Sequence, residues 1–348
     1  MTVPRGSADH RPADHRPAEH RAPEHRAARL LRWYPSAWRS RYGAEFTELL
    51  LADFADRPRC WRRTADVIRT GLLARLASIG LTSRALDPAA QIRASLATLA
   101  CALAAFFAFG LAMLAQLAIG WQWSSPHAAA TTAGTVIMSA AAGAIIVLAV
   151  LAAVPVAWCT VVGLLRRRSR QIARPVGLVL AAATALAVGA HHFQNAWPGT
   201  GGTAAHRSLV PHGLAAFGWA STLSVSSYWA HPAALHRFPG PELAWMVASP
   251  VVLLGLVGGA AAILRRQPMS PRMLAYQARL ASGAAMATCC FFAGAASWVF
   301  GQGSGSAGLF HAGAVDVAGL AVMTAALVTA VRAAASARCA TLILATRS

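Results

Sequence analysis

A chain of 348 residues could hold two ordinary domains, but 56% of it is hydrophobic, only 12% is charged and its mean hydropathy is +0.48. That balance excludes an ordinary soluble globular protein and points to the membrane class. A net charge of +19 invites a nucleic-acid reading, yet all 31 basic residues are arginine, and they lie before the first apolar run or at the ends of later ones. Arginine so placed orients a membrane protein rather than gripping a phosphate backbone. The absence of lysine and the abundance of alanine also fit a GC-rich genome.

Residues 1–28 are low-complexity: Ser7-Ala8-Asp9-His10-Arg11 is echoed by 12–16, 17–21 and, less well, 22–26. His10, His15, His20 and His25 therefore recur every five residues. Such steps turn about 140° on a helix, so the histidines share no face, and the prolines discourage a helix. Low apolar content predicts a disordered tail, with a histidine metal tract as the sharper alternative. The polar first residues predict no signal peptide.

Residues 29–88 read as a small helical module. Pro35 suits a first helical turn, and Phe46, Leu49, Leu50 and Phe54 recur on one face, with Glu45, Glu48, Asp53 and Asp56 elsewhere. After a break at Asp56-Arg57-Pro58, a second stripe runs through Trp61, Ala65, Ile68, Leu72, Leu76 and Ile79. Two such helices suit a hairpin whose apolar faces meet, or helices lying on the membrane. Arg62, Arg63, Arg69 and Arg75 favour a negatively charged surface nearby, such as the cytoplasmic leaflet.

The segment Leu31-Arg32-Trp33-Tyr34-Pro35-Ser36-Ala37-Trp38-Arg39-Ser40-Arg41-Tyr42-Gly43-Ala44-Glu45-Phe46 resembles the L-R-x-Y-P-x-x-W/F-R-x-R-Y-G-x-E-F/M stretch of bacterial integral membrane proteins. It is similar to the prefix module ahead of some orphan permeases and to helical signalling modules. The resemblance implies a bacterial, on composition actinobacterial, membrane protein. It marks Tyr34, Pro35, Trp38, Arg39, Arg41, Tyr42, Gly43, Glu45 and Phe46 as motif residues, with no catalytic role attached. The chain departs from the permease group in having no large soluble domain between its first span and a later group of three, which counts against export. Tyr34, Trp38 and Tyr42, four residues apart, read as helix packing rather than a ligand cage.

Ile92–Trp121 is the first run long and apolar enough to cross a bilayer. Five more follow: Thr135–Leu165 with Pro155 inside it, Pro175–His192, Leu243–Leu264, Ala281–Phe300 and Ala312–Val331. Sixteen arginines precede the first run and Arg93 stands at its start, making seventeen; five lie in Arg166–Arg174, four in Arg265–Arg279 and three after Val331, leaving only Arg207 and Arg237 for the other side. Six spans with both termini cytoplasmic satisfy the positive-inside rule at every loop. Ser208–Ala230 is apolar, but a crossing there would put Arg265, Arg266 and Arg272 outside. It is expected to be interfacial or re-entrant within the outer loop 193–241, with Trp219, Tyr228 and Trp229 at headgroup level.

Cys101, Cys159, Cys289 and Cys290 fall in spans and Cys60 and Cys339 on the cytoplasmic side, so no extracellular disulfide is expected. No phosphate-binding loop, H-E-x-x-H or G-x-S-x-G occurs; Thr200–Thr203 and Gly301–Gly308 read as connectors. The outer face gathers His191 and His192 at the end of the third span, Glu242 before the fourth, and His311 and Asp316 at the sixth, with His206, His212, His231 and His236 in the loop. His with carboxylate could bind metal or relay protons. Against this, residues at helix ends reach water, a carboxylate at a helix N-terminus is favoured by the dipole, and the histidines lack ligand spacing. Gly255, Gly258 and Gly259 permit close helix packing.

The favoured reading is an all-α, non-enzymatic, multi-pass protein of the bacterial plasma membrane. Its expected parts are the disordered tail 1–28, a cytoplasmic module at 29–88, a six-span bundle at 92–333 and a cytoplasmic C-terminal tail at 334–348. The module is expected to act as a signalling adaptor docking a transcription regulator or an ATPase. No cofactor and no nucleic acid are expected; a homo-oligomer is left open. The alternative is a permease or transporter subunit working with a separate ATPase, for which Gln116, Thr160 and Thr288 are the main polar groups near mid-membrane. A metal- or proton-handling protein using His191, His192 and Asp316 is the third reading.

Overall fold

The computed structural model describes residues 18–56, 61–82, 87–120, 128–165, 170–193, 240–301 and 314–347, and the regular structure among them is entirely α-helical. The chain divides after Ser78 into two units.

The first unit contains α1 (Ala18–Leu31), α2 (Ser36–Asp56) and α3 (Trp61–Ser78). Its core joins Ala27, Leu30, Tyr34, Leu50, Phe54 and Val67. Helix begins at Ala18, so the expected disordered tail does not reach residue 28; residues 1–17 lie outside the described residues. Ala27 and Leu30 explain the difference, because burying them against the later helices repays the ordering that the polar repeat alone could not. Pro23 is inside α1, with little more than one turn ahead of it, where a lost hydrogen bond costs least. The expected two-helix hairpin is thus a three-helix unit, in which α1 packs on both α2 and α3. Leu49 is 65% exposed and does not share the buried face of Leu50 and Phe54.

The second unit contains α4 (Pro88–Gly120), α5 (Ala128–Leu165), α6 (Arg170–Phe193), α7 (Gly240–Arg266), α8 (Pro271–Gly301) and α9 (Ala314–Arg347). Among the described residues five of these are long and apolar enough to cross a membrane: α4, α5, α6, α8 and α9. Helix α7 covers the expected fourth span, and most side chains of its first half lie outside the described residues, as does the whole segment 194–239.

Three pairs build the bundle, α4 with α9, α5 with α8 and α6 with α7, and α4 and α8 tie them together. Small residues make the contacts. Ala330, Ala333, Ala337 and Ala340 form a ridge on α9 that packs with Ile92, Leu96 and Leu99 of α4 and Leu274 and Ala278 of α8. Without a hydrophobic force between helices in lipid, such close approach gains dispersion energy instead. At Gly259 of α7 an added Cβ would lie 2.7 Å from Val179 Cγ2 and 3.1 Å from the Pro175 carbonyl oxygen of α6. The Gly255–Gly259 face therefore packs within the chain. Further along, Phe106 and Phe107 of α4 meet Phe291 of α8 edge-on, at centroid distances of 6.1 and 5.4 Å.

The helix starts are set by caps. Asp87 Oδ1 accepts from Ala89 N at 2.9 Å and Ser270 Oγ accepts from Met273 N at 3.3 Å, each followed by a proline at the first helical position. So α4 and α8 begin at Pro88 and Pro271, ahead of the expected span starts Ile92 and Ala281. The 33 residues of α4 make a rod of about 50 Å, against a hydrocarbon core of about 30 Å. At the other end of the chain, α9 continues to Arg347 and among the described side chains its apolar stretch is Ala321–Thr346, so the expected tail from residue 334 is helical as far as Arg347. Arg332 and Arg338 are exposed while Ala333, Ala334 and Ala337 between them are buried, so the arginines do not interrupt the packed face.

Contacts align the arginine-bearing ends. Gln91 near the start of α4 meets Ser336 late in α9, Gln277 early in α8 meets Ala152 late in α5, and Arg266 at the end of α7 donates to the Gln171 carbonyl at the start of α6. Leu274 of α8 joins the same cluster as Ile92 and Ala340. The arginine-bearing ends of the six helices therefore share one end of the bundle.

Candidate functional site

Each motif residue of the first unit has a definite place. Pro35 precedes α2, and its carbonyl accepts the helix's first bond from Arg39 N at 3.0 Å. Tyr34, 3% exposed, stacks on Trp38 at 4.1 Å and 28°; Phe46 meets Trp38 edge-on at 5.3 Å, and Tyr42 lies 5.5 Å from Trp38. The rings fill one another's faces and leave no cage between them. Burial pushes the Tyr34 phenol above its usual range, and the Asp66 carboxylate adds to the shift. Arg41 lies 5.2 Å from the centroid of the Tyr42 ring. Arg39 and Glu45 are exposed. A Cβ at Gly43 would make only ordinary contact, 3.8 Å from Arg39 Cβ, so packing does not require glycine there.

Arginines lock the unit from within. Phe54 lies under two guanidinium groups, Arg26 at 4.9 Å and Arg63 at 5.3 Å, and Arg63 also pairs with Asp53 at 2.5 Å. Arg75 Nε donates to the Trp33 carbonyl at 2.7 Å and its Nη2 to the Arg32 carbonyl, satisfying the turn between α1 and α2. Gly71 permits this, since a Cβ there would lie 2.8 Å from Trp33 Cβ. Packing thus uses the Val67 and Gly71 face of α3. Of the stripe anticipated from the sequence, Ile68 packs against the core while Trp61, Leu72 and Leu76 stay outside, 75%, 43% and 36% exposed. A shallow groove lined by Arg26, Trp61, Thr64, Ala65 and Ile68 opens beside it.

In the second unit one cluster of buried polar groups lies on the first turns of α4. Gln91, Ser95 and Thr98 fall on one face, all buried, and hold the connector that precedes the helix. Gln91 Nε2 donates to the Thr82 carbonyl at 2.6 Å and to Ser336 Oγ at 2.8 Å; Ser95 Oγ donates to the Gly80 carbonyl at 2.6 Å; Thr98 Oγ1 donates to the Ile79 carbonyl. Gly80, at φ +82°, lies against the Ala94–Ser95 backbone. Sequence reading took Ile92 onward as a membrane span and assigned no partner to the polar residues of its first turns. The spacing of Gln91, Ser95 and Thr98, at i, i+4 and i+7, was the available signal.

The expected transport groups are otherwise engaged. Thr160 Oγ1 donates to the Val156 carbonyl and Thr288 Oγ1 to the Ala284 carbonyl, each at 2.7 Å within its own helix. The Gln116 side chain lies outside the described residues. Gln277 Nε2 donates to the Ala152 carbonyl at 2.9 Å, one residue beyond the Leu151 carbonyl whose helical donor Pro155 lacks.

His191 and His192 occupy the last turn of α6, and Asp316 the first turn of α9. These helices belong to different pairs, and the three side chains lie outside those described, as do His206, His212, His231, His236 and His311. Among the described residues no three His, Cys, Asp or Glu side chains converge on a possible metal position. Cys101, Cys159, Cys289, Cys290 and Cys339 are free thiols.

Helices of this length and apolarity, paired through small residues, define a multi-pass membrane protein. Compared with protein-family profiles, characterised proteins and solved structures, the chain has no significant match.

Proposed function

We propose that the chain is a non-enzymatic, six-span protein of the bacterial plasma membrane, with both termini cytoplasmic, whose N-terminal helical unit docks a cytoplasmic protein. The positive-inside rule supports the orientation, because the arginine-bearing helix ends lie together. A transcription regulator or an ATPase is the kind of partner intended. The observation that carries the docking role is Leu49, 65% exposed on α2 and flanked by exposed Glu45, Glu48, Ala52 and Asp56. A large apolar side chain in an acidic rim suits a partner presenting an apolar pocket edged with basic residues.

The test uses a photo-crosslinking residue at Leu49 in the full chain, in its native membrane. The proposal expects one saturable adduct that Glu45→Arg with Glu48→Arg abolishes. No adduct, or adducts unaffected by charge reversal, would refute it. Orientation is tested separately by introducing a cysteine between Arg166 and Arg174; labelling from outside intact cells would overturn the threading. The permease alternative draws less support, since the Thr160 and Thr288 hydroxyls are engaged within their own helices.

A further inference from the structure

Helix α3 has two apolar faces, and the first unit buries one, taking from the other only Ile68 as a partly buried contact. Val67 and Gly71 are buried. Trp61, Ala65, Ile68, Leu72 and Leu76 fall within about 80° of one another around the helix, on a different side. Three of these are large and open to solvent, Trp61 at 75%, Leu72 at 43% and Leu76 at 36%.

Charge decides what suits this stripe. Arg62 and Arg69 are exposed and stand along one edge of it, with the Arg62 guanidinium 5.8 Å from the Trp61 ring centroid. The helix's single acidic residue, Asp66, lies beyond that edge, away from the stripe. A tryptophan-led apolar stripe edged by arginine is the composition of a helix that lies in the headgroup region of an anionic bilayer. A second copy of the same face would set arginine against arginine. The bilayer is also always within reach, because the chain crosses it and only nine residues separate Ser78 from Pro88.

We propose that α3 is an interfacial helix, seated on the anionic leaflet of the membrane that the chain itself crosses, with Trp61, Leu72 and Leu76 in the lipid and Arg62 and Arg69 at the headgroups. This face is separate from the Leu49 face of α2, so either assignment can fail without the other.

The experiment uses the full chain with its native cysteines replaced, one copy per nanodisc. An environment-sensitive nitrobenzoxadiazole is attached at Leu72→Cys or, as an off-stripe control, at Asp66→Cys. Discs are made of phosphatidylcholine alone or mixed with phosphatidylglycerol, and the label is probed with aqueous iodide and with spin-labelled lipid. In anionic discs the label at position 72 is expected to be shielded from iodide and quenched by the lipid probe, while that at position 66 stays accessible to iodide. Each arginine near an anionic surface is worth about five-fold in partition, so Arg62→Gln with Arg69→Gln should lower the equilibrium constant for the lipid-seated state about twenty-five-fold. High salt should weaken it similarly. Free iodide access at position 72 in anionic discs would overturn the proposal. So would shielding that is equal in neutral discs and in the double variant. Shielding seen only with two copies per disc, or only after a soluble protein is added, would replace the lipid with that occupant.

Discussion

Gly80→Ala puts the α4 seam under direct test. The residue sits at φ +82°, where an L side chain costs about 1–2 kcal/mol. Space is the larger difficulty. A Cβ would lie 2.3 Å from Ser95 N and 2.7 Å from both Ala94 C and Ser95 Cα, all backbone atoms of a helix that no rotamer change can move. The connector must shift, and the hydrogen bonds from Ser95 Oγ to the Gly80 carbonyl and from Thr98 Oγ1 to the Ile79 carbonyl are lost. With about 1 kcal/mol for each, the total comes to about 3–4 kcal/mol. The assay is unfolding of the full chain in mixed micelles by increasing dodecyl sulfate, followed by circular dichroism. Gly258→Ala is the control: nothing lies within 4 Å of its added Cβ, and in a helix interior alanine should be neutral or gain up to about 1 kcal/mol. If Gly80→Ala unfolds at the same point as Gly258→Ala, the seam does not hold the connector as described.

The other predictions concern single contacts. Gly259→Val should separate α6 from α7 and cost about 2–3 kcal/mol, because the Pro175 carbonyl cannot yield as a side chain would; the same unfolding titration checks it. Gln277→Leu should cost about 1–2 kcal/mol by withdrawing the donor from the Ala152 carbonyl, and with it the hydrogen bond that joins α8 to α5. No loss of stability in that titration would refute the link. Tyr34 sets a pH dependence. Its folded pKa is raised, so the neutral phenol's contribution is complete below the unfolded value near about 10 and is lost as pH rises through the folded value. Tyrosinate absorbance should show one late-ionising group in the wild type that is missing in Tyr34→Phe.

Helix position was legible wherever apolar runs ended in arginine, and each expected span lies wholly or mostly within a helix of the second unit. Helix ends were less legible, because hydropathy reports the membrane boundary rather than the hydrogen-bond ladder. Asp87-Pro88 and Ser270-Pro271 were readable as cap and first-turn pairs, and they set the starts of α4 and α8. Helix α1 was obscured by the His/Arg/Pro repeat, although Ala27 and Leu30, at i and i+3, carried its buried face, with Tyr34 following in the turn. On α3 the stripe was legible but its role was not. Periodicity finds an apolar face, and only packing against α1 shows that Val67 and Gly71 take the inside. Nothing in the sequence tells whether the ends of α6 and α9, with His191, His192 and Asp316, meet in space, since neither spacing nor local pattern connects them.

The alanine ridge of α9 also leaves a question of alignment that the bundle must answer. Ala330, Ala333, Ala337 and Ala340 are small knobs, and sliding the helix one turn, about 5.4 Å, so that Ala326, Thr329, Ala333 and Ser336 take their places would again present small residues to α4 and forfeit little dispersion energy. The bond between Gln91 and Ser336 has no such substitute one turn away, where Arg332 and Ala340 stand. One amide and one hydroxyl thus choose among translations that the methyl groups cannot tell apart, as a single notch indexes an otherwise smooth rod.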